Sequence, residues 1–288
     1  TARVTADAAE LWVPTQAQTD TEKAVGAAIG LDPTKVTVNT TMLGGGFGRR
    51  SYVDFAVQAA QIAQQLAGTP VKLIWSREED LQHDFYRPGM AGRYRGSVNA
   101  DGDPEALQVQ LVGPSLTANF GLPPSLDGVI NVMASSGDGY SIPNLHLTYQ
   151  RVDVPVPIGI WRSVMLSQNG FFAESFIDEL AHAGGVHSPL DMRRRMAAKS
   201  PQASRVLEKL AELIGAEKPG EPRRAWGMAL IMGWNSCCGV AVDLSVSAAK
   251  TLTIHEFVCA IDCGIAVNPA IVLAQAEGGI FFGLSAAL

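Results

Sequence analysis

Leu43-Gly44-Gly45-Gly46-Phe47-Gly48-Arg49-Arg50-Ser51-Tyr52-Val53-Asp54 is the stretch on which the reading of this chain turns. It stands between a strand candidate, Val36 to Val38, and a helix candidate, Asp54 to Ala67. The apolar residues of the latter recur at helical spacing up to Gly68 and Pro70. Four glycines free the backbone for positive φ and leave no side chains between the amides and a ligand, so such a loop can hold an anionic or oxo-bearing group. The loop lacks the Lys-Ser/Thr ending of a P-loop and the G-x-G-x-x-G spacing of a dinucleotide fingerprint. No acidic residue follows at the distance that the fingerprint needs. A nucleotide-dependent dehydrogenase is therefore the weaker enzyme reading, and a glycine-rich loop taken alone is more often a structural turn than a cofactor site.

Working outward, Glu10 to Val13 reads as a strand, and Thr19 or Asp20 can cap a helix that runs to Ile29 and ends at Gly30. Val71 to Trp75 returns as a strand, so the first ~90 residues alternate strand and helix. Around Tyr86-Arg87-Pro88 the pattern becomes β-rich, with strands Arg93 to Val98 and Leu107 to Val112 joined by the turn Asp101-Gly102-Asp103-Pro104. The boundary falls there, giving domains 1–88 and 89–288. Gly113 to Tyr140 reads as a long loop. Leu166 to Ala183 has helical spacing with Glu174, Asp178 and Glu179 on its polar face, and a second helix spans Ala203 to Ile214. Ala225 to Val246 and Thr251 to Ile261 read as paired strands, and a helix is entered through Asn268-Pro269. Thr1 opens inside a strand approach and Leu288 closes inside an apolar run, so the first domain is expected to be incomplete at its N-terminus and the second at its C-terminus.

The 288 residues are 47% hydrophobic and 17% charged, which allows a sizeable core. A net charge of −6 argues against nucleic acid as a partner, because phosphate binding needs clustered excess Lys and Arg. The one basic run, Arg193 to Arg195, reads as a charge cluster at a helix C-terminus. Uninterrupted apolar runs fall short of the ~18 residues of a span, so no membrane crossing is expected. Cys237, Cys238, Cys259 and Cys263 lack zinc or iron–sulfur spacing and read as buried free thiols, so no protein-held metal is expected.

Four segments, in order along the chain, resemble the large subunit of the xanthine dehydrogenase/aldehyde oxidase superfamily of molybdenum hydroxylases. They fit the isoquinoline 1-oxidoreductase beta-subunit branch. The segments are Leu43 to Asp54; Pro70 to Asp80 with His83 to Pro88; Trp161-Arg162-Ser163-Val164 with Glu174 to Leu180; and Ile261 to Gly279, which includes Gln275-Ala276-Glu277-Gly278-Gly279. The resemblance implies an α+β fold, a molybdenum-cofactor-binding domain with two lobes of mixed sheet and packed helices. It implies a molybdenum–molybdopterin cofactor, in the cytosine dinucleotide form, contacted by Gly45, Gly46, Phe47, Gly48, Arg162 and Gln275.

The activity it implies is hydroxylation of an N-heteroaromatic compound or an aldehyde with oxygen from water. The general base in that family is a glutamate, expected beyond Leu288, so the catalytic residue is unknown here and this chain alone is expected to be inactive. Ser51, where xanthine-oxidising relatives are acidic, argues against purine recognition of their kind, and Met165 stands where the family usually has Gly. A small partner subunit with [2Fe–2S] clusters and a cytochrome acceptor are implied for electron removal. Bacterial cytoplasm and periplasm stay open as locations. A non-catalytic binding or assembly module that keeps the fold is the rival of a different class.

Overall fold

Ala9, Leu11 and Val13 alternate with Glu10 and Trp12, and the strand they form puts the three small apolar side chains into a core while its other face stays wetter. A computed structural model describes residues 1–118, 122–123, 125–127, 139–215 and 223–288. The chain forms two compact units. The first is Thr1–Pro88 with Val154–Val164, and the second is Gly89–Asp153 with Met165–Leu288.

In the first unit, β1 (Ala2–Val4), β2 (Ala9–Val13) and β3 (Val36–Thr40) form a mixed sheet, with β1 antiparallel and β3 parallel to β2. The helix α1 (Gln18–Ile29) makes the crossover between the parallel strands and ends at Gly30, whose φ of 78° suits glycine. It begins one residue before the first expected cap and has no side-chain cap; Thr21 is instead buried and donates to the Ala17 carbonyl at 2.7 Å. The helix α2 (Asp54–Gln64) presents Ala56, Ala59, Ala60 and Ala63 to the same core and stops three residues short of Ala67. Val71 to Trp75 is not a strand: Val71 alone bridges to Ala2, and α3 (Arg77–His83) follows, capped by Ser76.

The second unit contains two further sheets. β4 (Ala91–Val98), β5 (Pro104–Gly113) and β6 (Asn144–Arg151) form a mixed one, β5 being antiparallel to β4 and parallel to β6. β7 (Arg224–Gly233), β8 (Ser236–Val246) and β9 (Leu252–Asp262) are antiparallel throughout. The expected 113–140 loop lies partly outside the described residues. Within what is described, buried Asp127 accepts from the amides of Leu116 and Thr117 at 3.1 and 3.2 Å and from the Ser115 hydroxyl.

The helix α4 (Leu166–Ala183) has the predicted span. α5 (Pro189–Ala197) and α6 (Pro201–Ile214) follow, each with a serine cap and an N-terminal proline. The amphipathic face of α6, Ala203, Val206, Leu207 and Leu210, packs on Leu230, Cys237, Ala241, Val258 and Ala260. Each buried Leu or Val there stabilises the unit by about 1.5–3 kcal/mol.

Two charge readings are corrected. Glu174 is not on a solvated face, and Arg193 is not part of a surface cluster: both are buried, 2.8 Å apart, because α5 and β7 cover that side of α4. Only Cys237 is fully buried; Cys238, Cys259 and Cys263 are half-buried. α7 (Pro269–Ala287) is long and apolar enough to cross a membrane by length and composition. Counting uninterrupted apolar residues misses it because Gln275 and Glu277 break the run, whereas 19 residues of helix reach about 28 Å.

Candidate functional site

The glycine loop leaves β3 and is tied to the chain before α1. The Gly48 amide donates to Gln16 Oε1 at 3.2 Å, and the Gln16 amide donates to the Arg50 carbonyl at 2.9 Å. Gly45 and Gly48 hold φ of 123° and 92°, where L side chains are strained. A Cβ at Gly45 would stand 2.6 Å from the Phe47 ring, at Gly46 2.3 Å from Gln16 Oε1, and at Gly48 2.8 Å from the Ile160 carbonyl oxygen. Phe47 itself is forced to φ 48°, at a cost of about 1–2 kcal/mol, and its ring is half exposed. Strain of this kind, held in place by surrounding contacts, is characteristic of sites that bind or react.

Directly after the loop, Arg49 acts as its anchor. Both Nη atoms bond Asp54 at 2.9 Å and Nε bonds Asp84 at 2.5 Å, while the rings of Tyr52, Phe55, Trp75 and Phe85 lie within 4.8–5.9 Å of the guanidinium. Half-burial works against its charge, but Asp54 and Asp84 outweigh it and hold the guanidinium above its ordinary range.

Residues 154–164 return to the first unit by a parallel bridge between Tyr86 and Ile158 and by the Ile160 amide donating to the Tyr52 hydroxyl at 2.9 Å. Trp161 and Arg162 come next. Arg87 lies over the Trp161 ring at 4.4 Å and donates to the Arg162 carbonyl at 3.4 Å. Burial lowers the Arg87 pKa. The Arg162 guanidinium sits 5.8 Å from the centre of the Phe47 ring. Ser163 and Val164 then turn at φ 71° and 51°, the second an unusual conformation for a β-branched residue.

The structure therefore brings five of the six expected contact residues, Gly45, Gly46, Phe47, Gly48 and Arg162, into one unit. Gln275 lies in the second unit, exposed on α7. The chain leading to it is set by local bonds: Asp262 accepts from the Gly264 amide at 3.1 Å and from Arg205 at 2.7 Å, and Asn268 caps α7 through the amides of Ala270 and Ile271. Gln16, Arg49, Tyr52 and Arg87 were not singled out from sequence. Arg49 and Tyr52 lie in the loop motif itself, but nothing in the spacing marks Gln16, which reaches the loop only through the fold.

A pterin-type cofactor fits these features. The loop backbone between Leu43 and Phe47 is exposed or half-exposed, and among the described residues the amides of Gly44, Gly45 and Gly46 take no internal hydrogen bond. Peptide N–H groups beside a guanidinium suit phosphate, pterin or oxo oxygens, since both offer donors and Arg offers a planar fork.

Fold and loop together define a cofactor-binding domain, and two models of the molybdopterin cofactor-binding domain match the chain over residues 1–197 and 197–288. The chain belongs to this family, the molybdenum-cofactor-binding domains of the xanthine dehydrogenase type. It is 30% identical to isoquinoline 1-oxidoreductase subunit beta of Brevundimonas diminuta over 97% of this chain and 37% of that protein. It is 28% identical to the membrane-bound aldehyde dehydrogenase [pyrroloquinoline-quinone] of Gluconacetobacter polyoxogenes over 88% and 36% of the two. Quinoline 2-oxidoreductase from Pseudomonas putida 86 has the same fold, with a TM-score of 0.66 and 16% identity over 88% of this chain and 37% of that one. The chain thus spans a little over a third of the length of these relatives.

Proposed function

We propose that this chain supplies the cofactor-contacting part of a molybdenum-dependent oxidoreductase that hydroxylates an N-heteroaromatic compound or an aldehyde with oxygen from water. The observation that carries this reading is the strained loop of Gly45 to Gly48, with Phe47 held half exposed beside Arg162. The bound molybdenum centre would supply the oxygen transfer and accept the electrons. The chain's own residues do the holding. Amides of the glycine loop and the Arg162 fork bind anionic or oxo oxygens, and the Gln275 amide, able to donate and accept, binds pterin edges. The Phe47 ring would stand beside the bound group, and Gln16 and Arg49 hold the loop and its flank in place.

Residues 1–88 are read as the first cofactor lobe and 89–288 as the second. The cytosine dinucleotide form, a small [2Fe–2S] subunit and a cytochrome acceptor belong to the same proposal, because two electrons must leave after each turnover. The cysteines here are spaced 237, 238, 259 and 263, which is not a cluster-binding pattern. Isoquinoline 1-oxidoreductase and the membrane-bound aldehyde dehydrogenase, as relatives, support the substrate classes. The parent protein, purified with whatever co-purifies, should contain about one molybdenum per chain and release a pterin and cytosine monophosphate on mild acid hydrolysis. Iron and acid-labile sulfide should travel with a small partner. A folded, active parent free of molybdenum and pterin would overturn the reading. Non-catalytic assembly and nucleotide-dependent dehydrogenation gain no specific support.

A further inference from the structure

Along the β8–β9 ladder, Cys238 is opposite Ile261 and Cys259 is opposite Val240, so the two cysteines are diagonal neighbours on one side of the sheet. That side faces away from α6, whose core is built on Cys237, Ala241, Val258 and Ala260. Both thiols are half-buried and free, with their Sγ atoms 3.8 Å apart. We propose that Cys238 and Cys259 are a redox-active dithiol that a hydroperoxide converts to a disulfide bridging β8 and β9. This inference does not rest on the cofactor reading.

The roles of the two sulfurs differ. The two thiols share one hydrogen bond, which either can donate; with Cys238 as donor it holds the Cys259 thiol below its usual range and, together with burial, pushes Cys238 up. In the proposed order Cys259 accepts this bond and attacks as the thiolate, and Cys238 donates and resolves. Its sulfur breaks the O–O bond of hydrogen peroxide, becoming a sulfenic acid and releasing hydroxide. Cys238 then attacks the sulfenic sulfur, its thiol proton leaves with the displaced hydroxyl as water, and the S–S bond forms. Two thiols are oxidised by two electrons and one peroxide is reduced to two waters. The sulfurs must approach by roughly 1.8 Å to reach the ~2.05 Å of a disulfide. A diagonal pair has its Cα atoms about 7–8 Å apart, beyond the ~6.8 Å a disulfide usually spans, so β8 and β9 must shift locally to close the bond, which is strained and readily reduced again.

The test uses the folded 288-residue chain, fully reduced and freed of reductant without air, then treated with a few equivalents of hydrogen peroxide. Thiol titration after denaturation should fall from four to two, the intact mass should drop by about 2 Da, and a non-reducing peptide map should join Cys238 to Cys259. Dithiothreitol should restore four thiols. In Cys238→Ser the serine hydroxyl can still donate to Cys259, and dimedone should trap a sulfenic acid at Cys259 and at no other cysteine. Four thiols surviving in the folded chain, or a link that joins any other pair, would overturn the proposal. So would a Cys238→Ser protein that gives no Cys259 adduct. If that variant does not fold, the peptide map of the unsubstituted chain decides alone.

Discussion

Replacing Arg193 by methionine removes a cation that is completely buried and fully occupied. Its Nε bonds Glu174 Oε2 at 2.8 Å, Nη1 bonds Asp178 at 2.6 Å and the Pro189 carbonyl at 3.1 Å, and Nη2 bonds the carbonyls of Glu174 and Met228 at 3.2 and 3.1 Å. Methionine fills much of the volume but satisfies none of these acceptors. It leaves the Glu174 carboxylate buried with the Leu230 amide at 2.8 Å and the Tyr140 hydroxyl at 3.5 Å. Breaking a buried pair from one side costs about 3–5 kcal/mol, against a total stability of about 5–15 kcal/mol. The urea midpoint should fall on the order of 1–2 M.

The loss should also depend on pH. Burial raises the Glu174 pKa and Arg193 pulls it back; without Arg193 the folded pKa lies still higher above the unfolded value of about 4.3. A carboxyl with a raised folded pKa contributes stability below the unfolded pKa and loses it as pH rises through the folded one. The variant's deficit should therefore be smaller at pH 4 than at pH 8. Arg193→Met combined with Glu174→Leu, which removes both charges, should recover most of the loss. Urea unfolding followed by far-UV circular dichroism measures each quantity. An unmoved midpoint for the single variant, or a double variant no more stable than the single, would refute the reasoning.

Gly48→Ala places a Cβ 2.8 Å from the Ile160 carbonyl at φ 92°, so it should lower stability by roughly 1–3 kcal/mol and reduce molybdenum content in the parent protein. Full metal content in that variant would show the loop to be structural only. Gly46→Val should displace the Gln16 side chain and cut cofactor loading while leaving most of the fold intact, which parallel circular dichroism and metal analysis can check. Asn268→Ala removes the cap on two α7 amides and should cost about 1 kcal/mol in urea unfolding. The 288-residue chain alone should show no hydroxylase turnover with an aldehyde or isoquinoline and an artificial acceptor. Asp54 and Asp84, the carboxylates that follow the loop, are both engaged by Arg49 and unavailable as a general base.

Periodicity made the helices legible where an apolar face was complete, as in Leu166–Ala183, and caps made their ends legible, as at Gly30 and Asn268. It failed where the partner decides. Val71 to Trp75 has strand composition but finds a bridge only at Val71, whereas Asn144–Arg151, half polar, becomes a strand because β5 offers it a parallel edge. Glu174 read as solvent-facing because helical spacing says which residues share a face, not what will cover that face. For the candidate site, the glycine loop was legible as a motif, and the link to Trp161-Arg162 came from resemblance alone. No local rule could bring residue 162 back to residue 47, a contact that the bridge between Tyr86 and Ile158 sets up.

That returning segment has a consequence for how the first unit is assembled. Because Val154–Val164 completes it, the unit is discontinuous in the chain, and the polypeptide leaves at Pro88 and re-enters after about 65 residues. A fragment ending at Pro88 would lack the neighbour of Gly48, the amide that bonds Tyr52, the indole under Arg87 and the guanidinium beside Phe47. During synthesis the sheet of β1 to β3 can form early, but the loop cannot reach its final shape until residue 164 has emerged. If the loop holds the cofactor as proposed, insertion is expected only after residue 164 has been made, and a ribosome stalled before that point would carry a first unit without Ile160, Trp161 and Arg162.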